Sequence, residues 1–172
     1  ALQLGHGLRK PQMGPVNSAE HLTKIAGFID RARARGAEVL TGGSVTSDPE
    51  TGLGWFYQPT IMADRPAQDE LVQEEIFGPV LTIQIADDAR HALELANCTR
   101  FGLVAGIYTA DIAAALTLAR DIDAGQIYIN EYFAGGIEVP FGGNKFSGYG
   151  REKGLEGLKS YIKLKSVAAR IG

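Results

Sequence analysis

The chain has 172 residues, of which 45% are hydrophobic and 22% charged, a composition that supports a packed core and argues against disorder. Its formal net charge is -3, with Lys and Arg spread along the chain, so neither nucleic acid nor a membrane surface is an expected partner. No apolar run reaches the roughly 20 residues of a membrane span, and the amino terminus resembles no secretory leader. With Cys98 as the single cysteine, the sequence predicts one soluble, cytoplasmic domain without a disulfide.

An amphipathic helix is predicted over residues 17–36. Its apolar positions recur at helical spacing and are Leu22, Ile25, Phe28, Ile29 and Ala32. Asn17 and Glu20 have the spacing of a capping box, and Gly36 is placed to end the helix.

Two strands are predicted next. The first begins at Val39-Leu40 and ends before Gly42-Gly43, and the second spans residues 55–61. Because Pro59 cannot donate to a strand ladder, the second strand is expected at an edge or as a bridge.

The middle of the chain alternates between strand and helix patterns. Strands are predicted at 80–85, 104–108 and 126–130, and helices at 87–97 and from 111 to 119 or beyond. The strands are short and almost wholly apolar, as is typical when helices cover both faces of a parallel sheet. This pattern predicts an α/β fold with a largely parallel sheet and right-handed crossovers.

A glycine-rich loop follows Asn130 and leads to a short helix predicted over residues 151–159. In the last segment, residues 161–171, Ile162 and Leu164 alternate with two lysines, which predicts a strand. No partner for this strand is left in the chain, so we expect it to join the sheet edge of another chain.

Two stretches carry a family resemblance: EEIFGPV at residues 74–80 and PFGGNKFSGYGRE at residues 140–152. Together they resemble the carboxy-terminal third of the NAD(P)-dependent aldehyde dehydrogenases, and the likeness covers nearly all of the chain. It implies that residues 1–159 are part of the catalytic domain and that residues 160–172 are an oligomerisation strand of a homo-oligomer. It also implies that the NAD-binding domain and the catalytic cysteine lie before residue 1.

The resemblance implies oxidation of an aldehyde to a carboxylic acid. In that chemistry a cysteine thiolate attacks the carbonyl carbon, hydride passes to NAD or NADP, and a glutamate activates water to release the acyl group. Because the cysteine and the general base would lie outside the chain, we expect no turnover by these 172 residues alone. The alternative hypothesis is a free-standing, non-catalytic assembly module that associates through residues 161–171.

Glu75 and Phe77 are the predicted cofactor-binding residues. In an extended backbone they project to the same side, which places a carboxylate beside an aromatic ring. This pair suits a sugar diol next to a flat heterocycle. By composition alone the favoured interpretation is a solvated Glu75 and a core Phe77. The family resemblance reverses this preference. It implies that Glu75 holds the nicotinamide ribose and that Phe77 borders the nicotinamide.

The glycine-rich loop supplies the substrate-side candidates. The resemblance implies that it forms part of an aldehyde tunnel, with Phe141 and also Tyr132, Phe133 and Glu138 as pocket residues. The structural alternative, that two of these aromatic residues serve packing and that Glu138 is exposed, stays open.

Further assignments come from betaine-aldehyde-like members of the family. They imply a K+ site formed by backbone carbonyls at Lys145 and Gly148, and a charge-relay role for Glu152. For Arg151 and Glu152 the preferred interpretation is structural, namely a cap on the short helix or an ion pair. Cys98 falls in a predicted helix-to-strand turn and is interpreted as a bystander rather than the nucleophile.

Overall fold

The chain divides into two units, residues 1–87 and 88–172, in the computed structural model, which describes residues 2–172. That residues 1–159 belong to one catalytic domain stays a prediction. Composition bounds the size of a core but does not report how contacts are distributed along a chain.

The first unit contains two α-helices and five strands. In chain order its elements are a 3-10 turn at Gly7–Arg9, α1 at Ala19–Ala34, β1 at Val39–Thr41, β2 at Val45–Thr46, β3 at Phe56–Tyr57, β4 at Thr60–Met62, α2 at Glu70–Gln73 and β5 at Val80–Thr82. The N-cap of helix α1 lies one residue later than the capping-box pattern predicted. Its cap is Ser18, whose hydroxyl accepts the backbone N–H of His21, and not Asn17.

The run predicted as one strand at residues 55–61 is two strands. Pro59 interrupts it, so that β3 pairs antiparallel with β2 while β4 lies between β1 and β5. Strand β4 is antiparallel to β1 and parallel to β5, so it bridges these two strands, as one of the two predicted alternatives has it, while β3 is an edge strand of a two-stranded sheet. The ladder tolerates the proline because it precedes β4, whose first residue, Thr60, donates its N–H to the Pro79 carbonyl at 2.8 Å.

The main apolar core lies in the first unit, where α1 contributes the residues that its periodicity predicted. The buried members of this core are Ile25, Phe28, Ile29, Ala32, Ala37, Tyr57, Met62, Leu71 and Ile76. Leu22 is partly buried against the same cluster. The core includes Ile76, and so reaches the segment that carries Glu75 and Phe77.

The second unit contains three helices and four strands. They are α3 at Ala89–Asn97, β6 at Phe101–Gly102, β7 at Val104–Ile107, α4 at Ile112–Asp121, β8 at Gln126–Ile129, β9 at Asn144–Lys145 and α5 at Gly154–Lys159. The carboxylates of Asp88 and Asp111 cap α3 and α4 by accepting backbone N–H groups of the first turn. Strands β7 and β8 are parallel and α4 connects them, as the alternating pattern predicted.

The mixed α/β class is confirmed, but the prediction of one largely parallel sheet was wrong. The strands of residues 2–172 form four small sheets, and three of the five strand pairs are antiparallel. The antiparallel pairs include β2 with β3 and β6 with β9, whose two-residue strands give no periodic signal in the sequence.

The carboxy-terminal segment has no strand partner among the described residues. Residues 162–172 are exposed and carry no regular secondary structure, so the oligomerisation strand stays a prediction. Helix α5 begins at Gly154, three residues later than predicted, because Glu152 pairs with Phe141 instead of entering the helix. Within residues 2–172, no helix is long and apolar enough to cross a membrane.

Candidate functional site

Glu75 and Phe77 lie in an irregular segment between α2 and β5. Ile76 between them is 8% exposed and belongs to the core, whereas Glu75 is exposed and Phe77 is 69% exposed. Both line one open depression of about 450 Å³, whose floor includes residues of α2 and β5. The structure therefore brings the predicted carboxylate and ring to one concave surface, anchored by the isoleucine between them.

Phe77 adopts a left-handed backbone conformation, with φ of 58°. Such a φ is uncommon for a bulky residue and costs roughly 1 kcal/mol or more. A strained, largely exposed phenylalanine is not explained by packing. Strain of this kind is concentrated at ligand-binding and catalytic sites.

The substrate-side aromatic residues lie in the second unit. Phe133 and Phe141 line a cavity of about 220 Å³ together with Tyr128. Tyr132 packs edge-on against Phe133, with ring centroids 5.0 Å apart, and lies 5.7 Å from the Tyr128 ring. Phe133 and Phe141 thus share a cavity, while Tyr132 contacts two of the rings that line it.

Gln126 was missed by the sequence reasoning. Its side-chain amide donates to the Pro140 carbonyl at 2.9 Å and accepts the Tyr128 hydroxyl proton at 2.6 Å. It therefore connects strand β8 to the residue that precedes Phe141. The available signal was a polar side chain inside an otherwise apolar strand, which requires a partner when it is partly buried.

Arg151 holds the glycine-rich loop together. Its guanidinium donates to the carbonyls of Gly143 and Gly150, at 2.7 and 2.9 Å, and to the Asn144 side chain at 2.8 Å. Arg151 therefore does not cap α5, which corrects the structural role expected from the sequence. The loop bends sharply enough to turn three carbonyl and amide oxygens toward one cation.

Glu152 does not cap α5 either. Its backbone N–H and C=O both pair with Phe141, at 2.7 Å each, and its exposed side chain lines the 220 Å³ cavity. The N-cap position is taken by Lys153, which makes no side-chain cap hydrogen bond. The charge-relay assignment of Glu152 stays a prediction.

Lys145 and Gly148 lie at the two ends of a turn in which the Gly148 N–H donates to the Lys145 carbonyl at 3.3 Å. The Lys145 ammonium group binds the carbonyls of Asn97 and Thr99, each at 3.0 Å, at the carboxyl end of α3. A cation at this end of a helix is electrostatically favourable. The K+ site at the backbone carbonyls of Lys145 and Gly148 stays a prediction.

Two candidates remain, Glu138 and Cys98. Glu138 is exposed and lines a depression of about 840 Å³ beside α5, which shares Glu152 and Lys153 with the Phe133 and Phe141 cavity. Cys98 follows α3 directly and donates its backbone N–H to the Leu95 carbonyl at 3.3 Å. Neither position adds a reactive group to the aromatic cavity.

Comparison with known proteins identifies the family. The sequence model of the aldehyde dehydrogenase family matches residues 1–167. The chain belongs to the aldehyde dehydrogenase family. The resemblance carried by EEIFGPV and PFGGNKFSGYGRE is thereby confirmed.

Relatives of this aldehyde dehydrogenase chain include a 4-trimethylaminobutyraldehyde dehydrogenase and a betaine aldehyde dehydrogenase. It is 42% identical over 163 residues to 4-trimethylaminobutyraldehyde dehydrogenase A of Danio rerio, covering 94% of the chain and 32% of that protein. It is 40% identical over 161 residues to betaine aldehyde dehydrogenase 1 of Rhizobium meliloti strain 1021, covering 94% of the chain and 33% of that protein. The chain therefore spans about a third of the length of the curated relatives it matches.

Solved structures of aldehyde dehydrogenases also match this chain. Betaine aldehyde dehydrogenase from Staphylococcus aureus in complex with NAD+ matches with a TM-score of 0.86 at 37% identity, over 93% of this chain and 32% of that one. The indole-3-acetaldehyde dehydrogenase AldA of P. syringae, in complex with NAD+ and IAA, matches with a TM-score of 0.90 at 35% identity, over 96% of this chain and 33% of that one. Which third of the relatives the chain corresponds to stays a prediction.

Proposed function

We propose that this chain supplies the nicotinamide-ribose side and part of the substrate wall of an NAD(P)-dependent aldehyde dehydrogenase, which oxidises an aldehyde to a carboxylic acid. The observation that carries the proposal is the exposure of Glu75 and Phe77 on one depression, with the strained backbone of Phe77 held beside a buried Ile76. The family membership and the NAD+ complexes of two similar structures support it.

The residues present fit the proposed cofactor. A carboxylate such as Glu75 accepts two hydroxyl hydrogen bonds, which matches the 2′- and 3′-hydroxyl groups of a ribose. The exposed Phe77 ring offers an apolar surface beside that carboxylate, against which a flat heterocycle packs. When bound, the nicotinamide ring accepts the hydride released by the aldehyde carbon.

The cavity lined by Phe133 and Phe141 is the proposed wall for the aldehyde. Its aromatic side chains exclude water from an apolar part of the substrate, while Gln126 fixes the loop that carries Phe141. Glu138 lines the adjoining depression, and its part in the substrate wall stays a prediction.

We also propose that the 172 residues alone do not oxidise aldehydes. The single cysteine, Cys98, directly follows α3 and is not among the residues that line the Phe133 and Phe141 cavity. The nucleophile and the general base would then come from parts of the enzyme outside this chain. Cysteine-dependent turnover of an aldehyde by the pure chain would contradict this.

The decisive experiment replaces Glu75 in the complete enzyme that contains this chain. Glu75→Gln removes the charge from two hydrogen bonds to the ribose, each worth about 1.5 to 3 kcal/mol, so the KM for the dinucleotide should rise at least about tenfold. Glu94→Gln, in the exposed Arg90–Glu94 pair on α3, is the matched control and should leave that KM unchanged. An unchanged dinucleotide KM in Glu75→Gln would reject the proposed cofactor site.

Homo-oligomerisation through the carboxy-terminal segment is a second proposal. Residues 162–172 are exposed without a strand partner, and Ile162 is 62% and Leu164 97% exposed, so the alternating apolar side chains are available to another sheet edge. Removing residues 161–172 and measuring mass by sedimentation should yield a smaller assembly. An assembly of unchanged size would remove this proposal and also the alternative of a purely assembling module.

A further inference from the structure

Helix α2 directly precedes the segment that carries Glu75 and Phe77, yet it has only four residues, Glu70–Gln73. A single helical turn is not stable by itself in water, because helix nucleation is unfavourable and one turn forms too few backbone hydrogen bonds to offset it. The position of α2, and with it the start of the Glu75 segment, must therefore be set by contacts with the rest of the first unit.

The Asp69 carboxylate accepts four of the hydrogen bonds that hold α2. One of its carboxylate oxygens accepts the Leu71 backbone N–H at 2.9 Å and the Arg35 guanidinium at 3.2 Å. The other oxygen accepts two hydrogen bonds from Arg65, at 2.8 and 3.2 Å. The Asp69 side chain is 5% exposed and that of Arg65 is 13% exposed, so solvent screens this pair little.

Glu70 extends the network to α1. Its carboxylate accepts three hydrogen bonds from Arg31, at 2.7, 3.1 and 3.2 Å, and one from Arg35 at 3.3 Å. Together with Arg65 and Asp69 these residues form the Asp69 cluster, which comprises Arg31, Arg35, Arg65, Asp69 and Glu70. The cluster ties the first turn of α2 to α1 on one side and to the preceding loop on the other.

The cluster is also tied to the strand beyond the site. The Gln84 side chain donates to the Arg65 carbonyl at 2.7 Å, and the Thr82 hydroxyl donates to the Leu71 carbonyl at 3.4 Å. Thr82 and Gln84 line the same depression as Glu75 and Phe77. Contacts before and after the Glu75 segment thus converge on Arg65 and on α2.

We propose that Arg65 and Asp69 are positioning residues for the Glu75 carboxylate and the Phe77 ring. They touch neither the cofactor nor the aldehyde. They act through α2, because the orientation of this helix sets the direction in which the Glu75 segment leaves it. A small displacement of the Glu75 carboxylate or the Phe77 ring would weaken binding of the dinucleotide. This inference rests on the proposed function, because it assigns the two residues to the same cofactor site.

The first measurement is hydrogen exchange on the 172-residue chain, which needs no activity. Arg65→Ala should raise exchange at the amides of residues 70–78 by about tenfold, while the core amides of α1 keep their protection. Arg65→Lys, which keeps the charge but loses the two-donor geometry, should restore part of the protection. Arg90→Ala, which removes an exposed ion pair on α3, is the control and should change neither region.

The second measurement uses the complete enzyme. Arg65→Ala should raise the KM for the dinucleotide by about fivefold and leave the KM for the aldehyde unchanged, with partial recovery in Arg65→Lys. Unchanged exchange at residues 70–78, or an equal rise across α1, would overturn the inference. If Glu75→Gln weakens the dinucleotide and Arg65→Ala does not, the positioning role fails while the cofactor site stands. If neither variant changes the dinucleotide KM, the proposed function fails and the positioning role with it.

Discussion

A Cβ atom on Gly78 would lie 2.7 Å from the Cδ1 atom of Ile25 and 2.8 Å from its Cγ1 atom. Ile25 is fully buried in α1 and surrounded by the core, so it cannot withdraw without repacking its neighbours. Gly78 therefore permits the chain to approach α1 directly after Phe77. The close contact of these two residues fixes the carboxyl end of the segment that carries the candidate cofactor site.

Gly78→Ala should lower the free energy of unfolding by about 1 to 3 kcal/mol, because the added methyl group overpacks the core against Ile25. Ile25→Ala alone should lower the free energy of unfolding by about 2 to 5 kcal/mol. In the Ile25→Ala background, Gly78→Ala should lower it little further, because the side-chain atoms that the added methyl group would meet are absent. Urea unfolding of the single and double variants measures this coupling. Gly14→Ala, where an added Cβ meets no atom within 4 Å, is the control. Equal costs of Gly78→Ala in both backgrounds would contradict the contact.

Phe77 offers a test of backbone strain. With φ at 58° and the ring 69% exposed, replacing Phe77 by Gly relieves the strain, whereas Ala keeps most of it. The Gly variant should be more stable than the Ala variant by about 1 kcal/mol. Both should raise the dinucleotide KM of the complete enzyme, because both lack the ring. Equal stability of the two variants in chemical unfolding would argue against the left-handed conformation.

The lowered pKa of the Asp69 carboxyl group predicts that the protein loses stability in acid. Burial opposes its ionisation, but hydrogen bonds from the Leu71 N–H and from Arg65 and Arg35 outweigh burial and lower its pKa from 3.8 to about 2. Because the pKa is depressed in the folded state, the contribution is fully present above pH 3.8 and is lost as the pH falls toward 2. It amounts to about 2 kcal/mol.

The measurement is the free energy of unfolding of the wild type and of Asp69→Asn as a function of pH. The difference should be constant above about pH 5 and shrink as the pH falls through 2, because the Asp69 carboxylate is then protonated in the folded protein as well. The Asn side chain retains an acceptor for the Leu71 N–H, so the comparison isolates the charge. A difference that stays constant down to pH 2 would contradict the depressed pKa.

Gly125 tests the packing of the glycine-rich loop. A Cβ atom there would lie within covalent range of the Gly142 carbonyl oxygen, so Gly125→Ala must displace backbone, at a cost of about 3 kcal/mol or more. Gly150→Ala, where an added Cβ meets nothing within 4 Å, should be tolerated. Limited proteolysis should cut the loop at residues 133–150 faster in Gly125→Ala than in Gly150→Ala. Equal cleavage rates would show that the loop does not pack on Gly125.

Periodicity predicted several local elements. Helix α1, strand β7 and strand β8 lie within a few residues of their predicted bounds, because a repeated apolar spacing reports on residues that are close in the chain. The family, too, could be recognised from two short motifs that contain Glu75 and Phe141. These are contributions of residues that are adjacent in the chain.

The sequence by itself determined the periodic elements, such as α1, β7 and β8, and the family, while tertiary structure decided how the segments pair. Only folding placed β4 between β1 and β5, connected Gln126 to the Pro140 carbonyl, and joined Arg35 to Asp69 across 34 residues. The physical reason is the distance along the chain over which each interaction acts. Helix propensity and caps depend on residues a few positions apart, whereas strand pairing and ion clusters depend on which distant segments reach the same surface when the core closes.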